Sequence, residues 1–186
     1  MRIIGGNRRG LKLAEVGEGD AAAHLRPTSD RVREAIFNLL INAHGNPVAG
    51  SRVLDLFAGT GALGLEALSR GALQATFVDD GAKALALIRA NIAKMRAEAE
   101  TRVIRQDARR LGPNAGAGYG LVFLDPPYGK GLGEAVLAAL LAEGWLSPGA
   151  MVVWEEGAPP VVPEGFEQVD QRKYGDTVVT LLRVAG

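Results

Sequence analysis

The stretch Val53-Leu-Asp-Leu-Phe-Ala-Gly-Thr-Gly-Ala-Leu-Gly-Leu-Glu-Ala67 constrains the fold of this chain more than any other. Its first five residues are apolar except for Asp55, so they read as a buried strand that runs into a glycine-rich turn at Gly59 and Gly61 before a helix begins. Glycines there let the backbone turn tightly and approach a ligand, and Gly64 lets the helix lie close to the strand it has left. The spacing Gly59-x-Gly61-x-x-Gly64 also fits the dinucleotide fingerprint, in which a pyrophosphate rests on free amides at the helix N-terminus. Asp55 argues against that ligand. It stands inside the strand, four residues before the first glycine, where a carboxylate is costly to bury without a partner. A ligand carrying a cationic amino group supplies one.

Around this stretch, strand and helix patterns alternate, as in a parallel sheet joined by helical crossovers. A helix is expected from Asp30, with Val32, Ala35, Ile36, Leu39 and Leu40 on one face and Thr28, Ser29 or Asp30 as its cap; Gly45-Asn-Pro47 ends it. The order continues with a strand at Arg52 to Phe57, a helix at Ala62 to Ser69, a strand at Ala75 to Val78 and a long helix from Ala82 to about Ala99. Strands follow at Arg102 to Ile104 and Leu121 to Leu124, the second after a glycine-rich loop, then a helix at Glu134 to Leu141 and a strand at Met151 to Trp154. Phe166 to Tyr174 and Thr177 to Val184 alternate across Gly175-Asp176 and predict an antiparallel hairpin at one sheet edge. At the other terminus Arg2 to Gly6 and Gly10 to Leu13 form a small hairpin with the basic tip Asn7-Arg-Arg9, and Ala14 to Leu25 reads as a loop. Two units are expected, a basic hairpin and loop extension over 1–28 and a main α/β domain over 29–186.

With 186 residues the chain has room for one full α/β core. Basic and acidic residues balance at 21 each, yet residues 1–13 hold Arg2, Arg8, Arg9 and Lys12 and no acid, which points to a local anionic partner unless this is only a solvated face. There is no cysteine, and His24 and His44 lack ligand spacing, so neither a disulfide framework nor a metal centre is expected. No apolar run is long enough for a signal peptide or a membrane span, so a soluble, cytoplasmic and monomeric protein is expected.

Ligands of open parallel sheets bind at the carboxyl ends of the strands. Acids recur there: Asp55 in the first strand, Asp79 and Asp80 after the second, Asp107 after the third and Asp125 after the fourth. A lone acid at such a place is ordinarily a helix cap; acids on four successive strands suggest a shared site. Asp79, 20 residues beyond Gly59, suits the ribose hydroxyls, with Asp80 as the fallback if the register shifts by one. Asp107 suits the amino group of an adenine while the Ala108 amide donates to a ring nitrogen. The turn Phe57-Ala58-Gly59-Thr60-Gly61, with Asp55 and Gly64, faces the other end of the ligand.

The segment Asp125-Pro126-Pro127-Tyr128 resembles the signature of methyltransferases that act on exocyclic amino groups with S-adenosylmethionine. Such an amine is a poor nucleophile, because its lone pair is delocalised into the ring. Hydrogen bonds from its two N–H groups to the Asp125 carboxylate and the Pro126 carbonyl would aim the lone pair at the sulfonium methyl, and the prolines would stiffen the turn. Tyr128 would stack on the base, worth about 1–3 kcal/mol.

Taken with Met1-Arg-Ile-Ile-Gly-Gly6, Leu25-Arg-Pro-Thr-Ser-Asp-Arg-Val-Arg-Glu-Ala-Ile-Phe-Asn-Leu39 and Asp55 to Ala67, the Asp-Pro-Pro-Tyr segment resembles the RsmD family of 16S rRNA guanine-N2 methyltransferases over nearly the whole chain. That resemblance implies the class I methyltransferase fold, a Rossmann-like and mostly parallel seven-stranded sheet ending in an antiparallel hairpin. It implies transfer of one methyl group to a guanine N2 in small-subunit RNA, within an assembled ribosomal particle. Arg26, Thr28, Arg31 and Arg33 would then lie near the cofactor and substrate mouth, and Arg2, Asn7, Arg8 and Arg9 would meet phosphate. One departure concerns the second strand, where the family's two acids one residue apart are here Asp79-Asp80-Gly81. Adenine N6 in nucleic acid and a protein glutamine amide are the alternative acceptors for the same geometry.

Overall fold

In a computed structural model, which describes residues 1–15 and 28–186, β1 (Arg52–Leu56), β2 (Gln74–Asp79), β3 (Thr101–Arg105), β4 (Tyr119–Leu124), β5 (Leu146–Glu156), β6 (Phe166–Tyr174) and β7 (Thr177–Val184) form one sheet. Their order is β3-β2-β1-β4-β5-β7-β6, parallel through β5 and antiparallel where β7 inserts between β5 and β6. This is the expected seven-stranded architecture with its closing hairpin. Strand order reverses between β1 and β4, and the carboxyl ends of those two strands therefore frame the crevice in which such sheets bind ligands.

Both faces of the sheet are covered, which is why its strands read as continuous apolar runs. On one face Val53, Phe77, Phe123 and Val153 pack with helices α1 (Asp30–Ala43), α2 (Ala62–Ser69) and α3 (Ala82–Met95). On the other, Leu54, Val78, Leu124 and Trp154 pack with α4 (Leu132–Ala142). Ser29 caps α1, its side chain accepting from the Val32 amide at 3.2 Å. Among the described residues no helix is long and apolar enough to cross a membrane.

Two elements differ most from expectation, α3 at its end and β5, which begins at Leu146 rather than Met151. Helix α3 stops at Met95 rather than near Ala99, because Arg96 adopts a left-handed conformation (φ 52°) whose amide bonds back to the carbonyl of Ala93. Strand β5 continues past Trp154 through Glu155 and Glu156, which are held in register with Val179 and Val178 of β7. The predicted loop lies outside the described residues from position 16 to position 25.

The N-terminal hairpin is pinned to the sheet's helical layer. Arg2 and Lys12 form its one bridge, and Ile3 and Leu13 are buried in the core under α1 and α2. The Glu66 carboxylate, wholly buried on α2, accepts from the amides of Ile4 and Gly5 (each 2.9 Å), from Arg33 Nε on α1 (3.2 Å) and from Arg70 Nε (2.8 Å). Arg33, itself fully buried, also reaches Asp30 Oδ1 at 2.9 Å and the carbonyl of Arg2. Removing one partner of such a cluster strands a buried charge. Glu66→Ala is expected to destabilise the fold by about 3–5 kcal/mol. The double variant Arg33→Met with Glu66→Ala should recover part of that loss in urea unfolding. A single-variant loss below about 1 kcal/mol, the size of an exposed pair, would contradict the burial argument.

Candidate active site

Register assembles the site. Leu56 pairs with Val78 and with Leu124, and Leu124 with Trp154, so the next residues of the four strands, Phe57, Asp79, Asp125 and Glu155, come side by side at the carboxyl edge. Asp55 sits just beneath, on the face covered by α2. Phe57 takes a positive φ of 53° and leads into the turn, where Gly59 (φ 59°) and Gly61 (φ 80°) are also left-handed. Gly61 begins α2 without any side-chain cap. At Gly64 an added Cβ would come within 2.5 Å of the Phe77 ring and 3.1 Å of Asp55 Oδ2, so only glycine permits this closeness of helix and strand.

The acids use that closeness. Asp55, 2% exposed, accepts from the Gly64 amide at 3.0 Å. Asp79 accepts from the Gly59 amide at 3.0 Å and from the Gly81 amide at 2.9 Å. The partner that Asp55 was expected to take from a ligand is thus supplied in part by the turn itself. Burial still pushes the Asp55 carboxyl well above the usual range; the Gly64 bond opposes this, and the nearby charges of Asp79 and Glu155 add to it. Asp79 is raised as well, mainly by burial, with the bonds from Gly81 and Gly59 opposing.

Phe57, Asp79, Asp80, Asp107 and Ala108 line one small cleft together with Val78 and Gln106. Asp107 also performs the ordinary capping task, accepting from the Arg109 amide at 2.9 Å at the start of a short turn over Ala108–Arg110. The Arg109 side chain forks onto both its oxygens (2.7–3.1 Å) and holds its carboxyl below the usual range. Thr60, within the glycine turn, is buried, and its carbonyl accepts from Asn91 Nδ2 of α3 at 2.9 Å.

At the neighbouring strand end Asp125 is half-buried, Pro126 buried and Pro127 exposed. Tyr128 Oη bonds Thr177 Oγ1 at 3.2 Å, and its ring lies against Gly157, so the closing hairpin orients this residue. Glu156 accepts from the Gly129 amide at 3.1 Å and fixes the start of the following loop; burial raises its carboxyl despite that bond. Glu155 was missed from the sequence. It is buried at the same edge and accepts from Thr28 Oγ1 at 3.1 and 3.2 Å. The rule that finds acids at strand ends, carried to the fifth strand, would have included it.

The residues expected to meet RNA are dispersed. Arg2, Asn7, Arg9 and Arg31 are exposed, Arg26 lies outside the described residues, and Thr28 is engaged with Glu155. Arg33 is a correction: expected at the substrate surface, it is buried by its pairing with Glu66 and Asp30 and has no open face for RNA. Arg8 is partly spent, donating to the Met95 carbonyl at 3.2 Å and pairing with Glu100 at 3.5 Å. The Arg8 amide also bonds Ser69 Oγ at 3.0 Å, so the hairpin tip lies at the far end of α2 from the glycine turn, about 12 Å along the helix.

Residues 1–183 match the family described as "Conserved hypothetical protein 95". The chain is 38% identical over 185 residues to ribosomal RNA small subunit methyltransferase D of Escherichia coli strain K12, covering 97% of this chain and 88% of that one. It is 34% identical over 181 residues to the protein of the same name from Haemophilus influenzae, covering 94% and 89%. Among solved structures, the yhhF protein of Escherichia coli superposes with a TM-score of 0.84 at 36% identity, covering 99% of this chain and 97% of that one.

The acid pair makes stability depend on pH. A carboxyl raised in the folded state binds more protons there than in the unfolded chain, so stability falls as pH rises from about 3.9, the unfolded value, through the folded one. Asp55→Asn keeps an acceptor for the Gly64 amide and removes the charge. It is expected to raise the melting temperature at pH 7 and flatten this fall in thermal melts between pH 4 and 8. A lower melting temperature at pH 7 would contradict the assignment.

Proposed function

Because the chain belongs to the RsmD family of ribosomal RNA methyltransferases, we propose that it transfers a methyl group from S-adenosylmethionine to the exocyclic N2 amine of a guanine in small-subunit (16S) rRNA. The capture of the turn amides carries this reading. In a dinucleotide site a pyrophosphate would need those donors; here Gly59 and Gly64 already donate to Asp79 and Asp55. Adding Asp125 and Glu155 at the same edge makes the crevice acidic, which disfavours a diphosphate and suits a ligand with an ammonium and a sulfonium. The residues therefore fit S-adenosylmethionine better than a nicotinamide dinucleotide.

S-adenosylmethionine, when bound, supplies an electrophilic methyl group. Asp55 and the Gly59–Gly61 turn would hold the amino-acid end, Asp79 the ribose, and Asp107 with the Ala108 amide the adenine. The Asp55 carboxylate gains the cation that its burial calls for. Asp125 and the Pro126 carbonyl would accept the two amine hydrogens and hold the nitrogen in line for transfer, so that catalysis is mainly positioning. Tyr128, oriented by Thr177 and Gly157, would support the base from the side of the closing hairpin.

Purified protein, radiolabelled S-adenosylmethionine and small subunits from a strain lacking the gene test this, with the modified nucleoside identified by mass spectrometry. One N2-methylguanosine is expected. Label on an adenine or on a protein glutamine would replace the substrate, and no transfer at all would refute the reading. Asp125→Ala should slow transfer by about 100-fold or more while calorimetry shows cofactor affinity largely unchanged. Equal loss of both would refute the division of labour between Asp125 and the glycine turn.

A further inference from the structure

The end of α3 carries a residue that the local backbone disfavours. Arg96 closes the helix at φ 52° and ψ 45°, a left-handed conformation that costs any residue with a Cβ and suits glycine. Elsewhere among the described residues the chain fills such positions with glycine, apart from Asn46, a residue type that tolerates them, and Phe57, which belongs to the cleft. Arg96 is exposed. Nothing in the core explains its presence.

Its neighbours are cationic and come from two separate parts of the chain. Arg8 of the hairpin tip donates to the carbonyl of Met95 and pairs with Glu100, bracketing position 96. Arg9 follows on the same tip, Lys94 lies in the last turn of α3, and Arg102 is the second residue of the edge strand β3; all are exposed, and among the described residues none of Arg9, Lys94, Arg96 and Arg102 forms an ion pair. Glu98 and Glu100 are the acids here, and Glu100 is occupied by Arg8. This group lies at the amino end of β3, whose five residues put it roughly 16 Å from the carboxyl edge that holds Asp125.

We propose that Arg9, Lys94 and Arg96, gathered where the hairpin tip meets the end of α3, bind RNA phosphates belonging to a stretch other than the one that carries the modified nucleotide. The proposal rests on the reading of the protein as an rRNA methyltransferase and extends the RNA surface beyond the hairpin. A patch that distant selects a folded RNA, because two separated stretches must meet the protein at once. Phosphate contacts of this kind fix register and orientation, while the nucleotide itself is recognised at the catalytic edge.

Arg96→Gly separates this role from a structural one, since glycine relieves the strain and removes the cation. The melting temperature of that variant should rise by about 2 °C. Its affinity for small-subunit rRNA, measured by filter binding from 50 to 200 mM salt on naked transcript and on assembled particles, should fall severalfold, and the salt slope should become shallower by about one unit. Lys94→Gln combined with Arg96→Gly should deepen both effects, with affinity for S-adenosylmethionine unchanged. Wild-type RNA affinity and salt slope in the double variant would overturn the patch while leaving the methyltransferase reading intact. A lower melting temperature for Arg96→Gly, as expected if the arginine merely complements the helix dipole, would count against it as well. Wild-type protein that neither binds nor methylates this RNA would sink both.

Discussion

Two carboxylates close the glycine turn from inside, and the rest of the site follows from that. Asp55 reaches up from β1 to the Gly64 amide, and Asp79 reaches across from β2 to the Gly59 amide. These bonds tie the first strand, the turn, the second strand and the start of α2 into one unit. They also settle what kind of charge the crevice favours. A Gly-x-Gly-x-x-Gly turn with open amides attracts an anion, whereas this one has been supplied with anions of its own. The cost is visible in Asp55, whose carboxyl is driven upward by burial and by the company of Asp79 and Glu155. A cationic ligand relieves that cost, so local strain of charge becomes binding energy for one ligand class.

A second cluster decides how the chain ends are arranged around this site. Glu66, on the same helix that the turn begins, gathers the hairpin amides of Ile4 and Gly5 together with Arg33 and Arg70. The hairpin therefore runs along α2 with its tip at Ser69, away from the turn, while Met1 lies beside Thr60 at the turn itself. Basic residues that look like one N-terminal group in the sequence are thereby divided. Arg33 becomes structural, Arg8 bridges to α3, and Arg9 with its new neighbours faces outward at the other end of the molecule. An RNA that touches both ends must span the sheet from its amino to its carboxyl edge.

Much of this was legible beforehand, for physical reasons. Strands buried on both faces must be almost wholly apolar, so Val53 to Leu56, interrupted only by Asp55, and Leu121 to Leu124 stand out. The edge strand Phe166 to Tyr174, whose register shifts between Gln168 and Asp170 and blurs any alternation, is marked chiefly by the Gly175-Asp176 turn that follows it. The fate of individual polar groups was not legible, because their partners are distant in sequence. Arg33 stands beside residues expected at the substrate mouth, and the partner that buries it, Glu66, is 33 residues away. The continuation of β5 was hidden by Ser147-Pro-Gly149 at one end and by two acids at the other, residues that usually mark a strand's limits. The stop of α3 carries no glycine signal, since Arg96 occupies the place where one is expected. Asp107 shows the opposite case: the capping role and the cleft position coincide in one side chain.

The central claim is that the acid-filled glycine turn accepts a sulfonium nucleoside and refuses a dinucleotide. Calorimetric titration of the purified protein with S-adenosylmethionine and, separately, with NAD measures this directly. Saturable binding of the first, tightening as pH rises through the range in which Asp55 loses its proton, and no detectable heat from the second is the result expected. Tight binding of NAD with none of S-adenosylmethionine would contradict the account.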